Sequence, residues 1–152
     1  MTTEPIAQAS MSQLIREAHF DDTHLWVLPY PESGARCGFD PVGVETSGDI
    51  VALSFEPVGT RVSRGEEFGS IEAAKFVGPL IAPVSGTITA HNEEVLRSPA
   101  LLQKDSARYW LIELALDDAE NELALLRHGE AHVRSWLASE TERFKKRGMI
   151  AE

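Results

Sequence analysis

The sequence has little cysteine and little lysine. Cys37 is its one cysteine, so no internal disulfide can form and a reducing compartment is the default. Lys75, Lys104, Lys145 and Lys146 are the only lysines. With 24 acidic residues against 14 Lys and Arg, the net charge is −10. A chain this short of positive charge has no basic face for a phosphate backbone, which argues against nucleic acid as a partner. No apolar run approaches the roughly 20 residues of a membrane-spanning helix. Met1-Thr2-Thr3-Glu4-Pro5 lacks the basic start and apolar middle of a signal peptide, which predicts a cytoplasmic protein. The 11 glycines are scattered singly, each in its own turn, so no phosphate-cradling loop is indicated.

Short apolar runs broken by Gly and Pro are what the chain does have. Ser10 or Ser12 can cap a helix running to about Phe20, with Met11, Leu14, Ile15 and Ala18 at helical spacing. His24 to Leu28 and Ala35 to Phe39 predict a hairpin across a turn from Pro29 to Gly34. Further strands are expected after Ser47-Gly48-Asp49, around Val62, over Phe68 to Ile71, at Ile81 to Pro83, over Thr87 to Ala90 and over Tyr109 to Leu116. Residues 91–104 read as loop. Such a series means a mainly β sandwich or barrel. Asp117-Asp118 predicts the start of a helix closed by Gly129, and Glu130 to about Arg147 a second, with Val133, Trp136, Leu137 and Phe144 near one face. The expected organisation is an extension over residues 1–23, a β domain over 24–116 and helices packed on it over 117–152.

Two features single out Lys75. It stands close to a reversal of the chain, before Gly78-Pro79 and the Pro83 to Gly86 turn, which read as two turns flanking a short strand. On either side lies a matched segment, Ser47-Gly48-Asp49-Ile50-Val51-Ala52 and Ser85-Gly86-Thr87-Ile88-Thr89-Ala90. The match predicts two similar half-sheets with the lysine between them. Other chemistry is weaker. His128 and His132 have the spacing of two metal ligands on a helix, but Gly129 breaks that geometry and no third ligand accompanies them. Cys37 has no base or activating neighbours beyond Arg36 and reads as a core residue. Glu66-Glu67 and Glu93-Glu94 read as solvated loop acids.

From His24 to the C-terminal helices, the chain resembles the lipoyl carriers of the glycine cleavage system H protein family. The resemblance rests on His24-Leu25-Trp26-Val27, Gly48-Asp49-Ile50-Val51, Val58-Gly59-Thr60-Arg61-Val62 and Gly65-Glu66-Glu67-Phe68-Gly69. It continues through Glu72-Ala73-Ala74-Lys75, Ala82-Pro83-Val84-Ser85-Gly86 and Trp110-Leu111-Ile112. It implies a lipoyl/biotinyl-type barrel-sandwich hybrid of two quasi-symmetric sheets, with an N-terminal helix and C-terminal helices. It also implies lipoic acid joined by an amide to Lys75, and a cofactor-bearing carrier rather than an enzyme. The cofactor would supply the reactive sulfurs and the protein their presentation. Glu72 is the candidate contact by which modifying or client enzymes recognise the tip, against its reading as a solvated strand-end acid. A biotin carrier shares the architecture, but Ala74 and Phe76 stand where that family places methionines.

The resemblance also sets the expected partners. Lipoate ligase or lipoyl-transfer enzymes would modify the lysine of a protein acting as a monomer. Around Lys75 the chain departs from the glycine-cleavage pattern at Ala73-Ala74 and Phe76-Val77-Gly78-Pro79. There it is similar to an H-like branch, the lipoate-binding proteins that work with a heterodisulfide-reductase-like complex in sulfur oxidation. On that basis the expected cargo is a sulfur intermediate. The alternative is an aminomethyl group passed between glycine decarboxylase and aminomethyltransferase, with dihydrolipoamide dehydrogenase as third client. A further alternative is an unlipoylated binding module of the same fold.

Overall fold

A computed structural model describes residues 9–151. In chain order the elements begin with α1 (Met11–Glu17), β1 (His19–Phe20), β2 (Leu25–Tyr30), β3 (Gly34–Phe39), α2 (Pro41–Ser47) and β4 (Ile50–Phe55). β5 (Arg61–Val62), β6 (Glu67–Ala73), β7 (Val77–Ile81), β8 (Gly86–His91), α3 (Glu93–Arg97) and α4 (Leu101–Lys104) follow. The chain ends with β9 (Ile112–Leu116), α5 (Ala119–Leu123) and α6 (Glu130–Lys146). The strands make a six-stranded sheet in the order β1-β2-β3-β9-β8-β5 and a three-stranded sheet in the order β4-β6-β7, and all pairings are antiparallel. This is the expected mainly β architecture with flanking helices.

The two sheets enclose one apolar cluster, and the helices cover a second. β2 belongs to both. Leu25 and Val27 face the inter-sheet core, while Trp26 and Leu28 face a layer containing Leu14, Ile15 and Ala18 near α1 and Val133 of α6. A strand buried on both faces reads as a continuous apolar run, which is how Leu25 to Leu28 appears in the sequence. Val133, Trp136 and Leu137 of α6 pack on this second cluster, as their spacing predicts. Cys37 lies fully buried in the first.

The matched segments fall one in each sheet, and each contains a β-bulge at the same place. Ile50 pairs with Ala73 and Ala52 with Glu72, which leaves Val51 unpaired. Ile88 pairs with Leu114 and Ala90 with Glu113, which leaves Thr89 unpaired. A bulge of this kind bends and twists its strand. Two strands with the same bulge at the same distance from a Ser-Gly pair give the sequence repeat a structural counterpart, although Gly48 caps α2 at positive φ and Gly86 opens β8.

Several expectations need correction. Gly78 and Pro79 form no turn. They lie inside β7, opposite Ile71 and Ser70, with Pro79 on an edge strand where its missing N–H costs nothing. Residues 91–104 contain α3 and α4 rather than loop, and α3 is capped by the Asn92 side chain through Glu94 N. Glu93 and Glu94 thus sit in a helical first turn, and Glu67 opens β6. α2 occupies what reads as an approach to a turn. Its signal is Asp40-Pro41, an N-cap carboxylate accepting from Gly43 N at 2.9 Å followed by Pro at the first turn. α1 stops at Glu17, because residues 19 and 20 pair with β2. β2 extends through Pro29 and Tyr30, and the tight turn is residues 31–33, where Glu32 and Ser33 take positive φ. β9 starts at Ile112 rather than Tyr109, and α5 ends at Leu123, well before Gly129. Asp118 stands at its N-cap, but its carboxylate accepts from Asn121 Nδ2 rather than from a backbone N–H of the first turn.

Candidate functional site

β6 and β7 form a hairpin whose last pairing is Glu72 with Val77, and Ala73 N donates to Phe76 O at 2.9 Å. Only Ala74 and Lys75 remain at the tip. Their two amides do not face solvent. Ala74 N donates to Asp49 O and Lys75 N to Ser47 O, each at 2.9 Å. The carbonyl between these two, on Gly48, accepts from Gln103 Nε2 of α4. Three consecutive carbonyls of the first Ser-Gly segment are therefore all used, two to pin the hairpin and one to brace the segment from behind. Gly48 has φ +74°, a conformation that favours glycine. A Cβ there would also lie 3.0 Å from Lys75 Cε and 3.2 Å from Lys75 Cγ. The aliphatic stem of the lysine thus runs over the one residue with no side chain to obstruct it.

Lys75 is exposed, and its Nζ donates to Met149 O at 3.1 Å. Beside the tip lies an apolar cavity of about 380 Å³, lined in part by Leu25, Phe39, Phe76, Leu80, Phe144 and Met149. Phe76 lies over Gly78, whose Cβ would come 2.9 Å from the ring. The apolar run after the lysine therefore has a structural task, with a strand carrying one wall of this cavity. Glu72 is exposed on the outer face of the three-stranded sheet, one pair below the tip. It has no ion-pair partner among the described residues, and the structure does not join it to Lys75.

The remaining chemistry of the sequence separates cleanly from this site. Burial pushes the Cys37 thiol up to about 12, so it is an inert core group at neutral pH. His128 donates from Nδ1 to Ala18 O at 3.1 Å and stacks on His19 at 4.1 Å, while His132 is exposed on α6. Burial, and secondarily His128, lowers the His19 pKa to about 4, so His19 is neutral. No group of three metal-ligating side chains exists among the described residues. No helix among the described residues is long and apolar enough to cross a membrane. Two residues of the tip escape sequence reasoning. Gln103 sits in a segment read as loop, and Met149 acts through its backbone, which carries no side-chain signal.

Comparison with known proteins identifies the family. The family model described as glycine cleavage H-protein matches residues 18–136. The glycine cleavage system H protein of Mycobacterium avium (strain 104) is 33% identical over 126 residues, covering 80% of this chain and 96% of that protein. That of Acidobacterium capsulatum is 36% identical over 103 residues, covering 68% of this chain and 79% of its own. The crystal structure of a glycine cleavage system H protein from Mycobacterium marinum superposes with a TM-score of 0.61 at 31% identity, covering 66% of this chain and 84% of that one. The chain belongs to the glycine cleavage H-protein family, and so to the non-catalytic lipoyl carriers rather than to the enzymes they serve.

Proposed function

We propose that Lys75 is the attachment lysine and that the protein carries an aminomethyl group on a lipoyl arm between glycine decarboxylase and aminomethyltransferase, with dihydrolipoamide dehydrogenase restoring the arm. A lipoyl group bound there supplies a dithiolane that cycles between disulfide and dithiol. The carrying observation is the tip itself: a lysine at a two-residue turn whose backbone is pinned by two hydrogen bonds while its side chain stays exposed. Pinning fixes where the arm starts, and exposure lets several enzymes reach it. The chain's own residues fit such a group. Gly48 leaves room for the stem, and the neighbouring apolar cavity offers an aliphatic arm a surface out of water.

A flexible arm on a fixed tip raises the concentration of its end at any docked partner. Glu72, exposed on the outer face, is the charge we assign to recognition by the lipoate ligase or transferase and by the clients. Among the described residues no ion pair occupies it, which supports that role. We place the protein in the cytoplasm.

Glycine cleavage is preferred to sulfur oxidation because the named relatives are glycine cleavage system H proteins and the match covers nearly the whole length of the Mycobacterium avium protein. In the run Phe76 to Pro79, which suggested the other branch, Phe76 and Pro79 line the cavity and residues 77–79 lie in β7. Complementation of a strain lacking the H protein tests this. Growth on glycine as one-carbon source is expected, and its loss in Lys75→Arg. A lipoylated protein that never restores growth would return the sulfur clients to first place. Restored growth by Lys75→Arg would favour an unlipoylated module.

A further inference from the structure

His24 opens the first of the segments that carry the resemblance, and it lies away from the lysine tip in sequence. Its ring is buried, 5% exposed, and lies flat against Trp136 with centroids 4.9 Å apart. Nδ1 is 2.8 Å from Asp40 Oδ2, and Nε2 is 2.9 Å from Glu140 Oε1. An ionised carboxylate only accepts hydrogen bonds, so both ring nitrogens must donate and the ring is an imidazolium. From α2, Asp40 also caps the helix through Gly43 N. From α6, Glu140 also accepts from Arg143 at 2.8 and 2.9 Å, and Phe144 meets the ring edge-on. From the loop before β2, Asp22 acts on Arg143.

The clamp leads to the lysine. One turn beyond Glu140, Phe144 walls the apolar cavity. α6 then ends in a Schellman turn, with Gly148 at φ +74°, Gly148 N donating to Lys145 O at 3.0 Å and Met149 N to Phe144 O at 2.9 Å. That turn aims Met149 O at Lys75 Nζ. Contacts therefore run without a gap from His24 through Glu140, the end of α6 and Met149 to the tip.

We propose that His24 is a positioning residue for the lysine tip: as an imidazolium it ties α6 to the β sheets and thereby sets Phe144 and Met149 beside Lys75. The inference takes from the proposed function only that Lys75 is the working residue, and its test needs no lipoyl group. Burial works against the charge, but Asp40 and then Glu140 outweigh it and raise the His24 pKa above 6.5. A pKa raised on folding means the clamp is complete below the ordinary histidine value and is lost as pH rises through the raised one. Glu140 is lowered to about 2, by Arg143 first and His24 next, and stays ionised throughout that window. The tip is held while His24 is charged and freed as pH rises through its raised midpoint.

NMR titration of the full chain from about pH 5 to about pH 10 tests this. The His24 ring and the amides of Lys75 and Met149 should follow one curve with a midpoint above 6.5. Acylation of Lys75 by an N-hydroxysuccinimide ester, divided by that of exposed Lys104 in the same sample, should rise about threefold through that midpoint, the scale of one surface hydrogen bond. His24→Gln, which donates from one atom only, should leave the ratio flat at its alkaline value. Glu140→Ala cuts the link while leaving Asp40 its partner, and should give the same flat ratio even if His24→Gln fails to fold. Lys75 and Met149 amides that ignore the His24 curve, or a Glu140→Ala protein that keeps the wild-type ratio profile, would overturn the proposal. Absence of lipoylation at Lys75 would sink the proposed function and leave this readout intact.

Discussion

The two Ser-Gly-x-Ile-x-Ala segments are the same device finished in two ways. Each begins with Ser-Gly, bulges after its isoleucine and pairs with a strand whose continuation donates an amide back to the serine carbonyl. Lys75 N reaches Ser47 O at 2.9 Å, and Asp117 N reaches Ser85 O at 3.1 Å. Beyond that they differ. At Ser85 the corner is sealed. Glu122, from α5, accepts from Ser85 N at 2.6 Å and Ser85 Oγ at 2.8 Å, and Arg64 N donates to the same hydroxyl. At Ser47 the hydroxyl turns back to Gly43 O inside α2, and the tip carries an exposed lysine instead of a plug. One copy closes the fold and the other presents a side chain, so the position of the lysine follows from leaving one of two equivalent corners open.

Substitutions at matched positions can break that comparison. Gly86→Ala should do most damage, because a Cβ there runs into the Ala115 carbonyl across the β8–β9 pairing. A loss of about 3 kcal/mol in denaturant unfolding is expected, the upper range for overpacking against backbone. Glu122→Ala removes two charge-assisted hydrogen bonds from the sealed corner and should cost about 2 kcal/mol without affecting modification of Lys75. Gly48→Ala, at the open corner, forces an L-residue to φ +74° and ψ −162°, a region essentially confined to glycine, and should cost about 1.5 kcal/mol. Its distinctive effect should be on the lysine stem, read as slower modification of Lys75. Lys75→Arg should leave stability within about 0.5 kcal/mol of wild type, because an exposed residue is exchanged at a tip pinned by backbone. Equal costs at Gly48 and Gly86 would mean that the two corners are not differently loaded.

Much of this was legible in the residues. The Ser-Gly repeat marked both corners, because a corner followed by a bulged strand needs the same small and β-branched residues each time. Lys75 stood out because lysine is scarce and a reversal was near. The reversal itself was misplaced by a few residues. Gly78-Pro79 looks like a turn, but edge strands tolerate both residues, and the real turn is Ala74-Lys75, which carries no turn signature. α2 was hidden by Val42, Val44 and Thr46, poor helix formers held helical by Asp40 and by packing, with Thr46 and Ser47 hydroxyls bonded back into the helix. The clamp at His24 joins residues 16 and 116 positions apart, and Met149 contributes a carbonyl 74 positions from Lys75. Such contacts have no local pattern to read.

Intact mass after incubation with lipoate and a lipoate ligase tests the central claim most directly. The wild-type chain should gain one lipoyl group, located on Lys75 by peptide mapping, and Lys75→Arg should gain none while remaining folded. A wild-type chain that gains nothing, or a Lys75→Arg chain that still gains one, would contradict the assignment of this corner as the site of the arm.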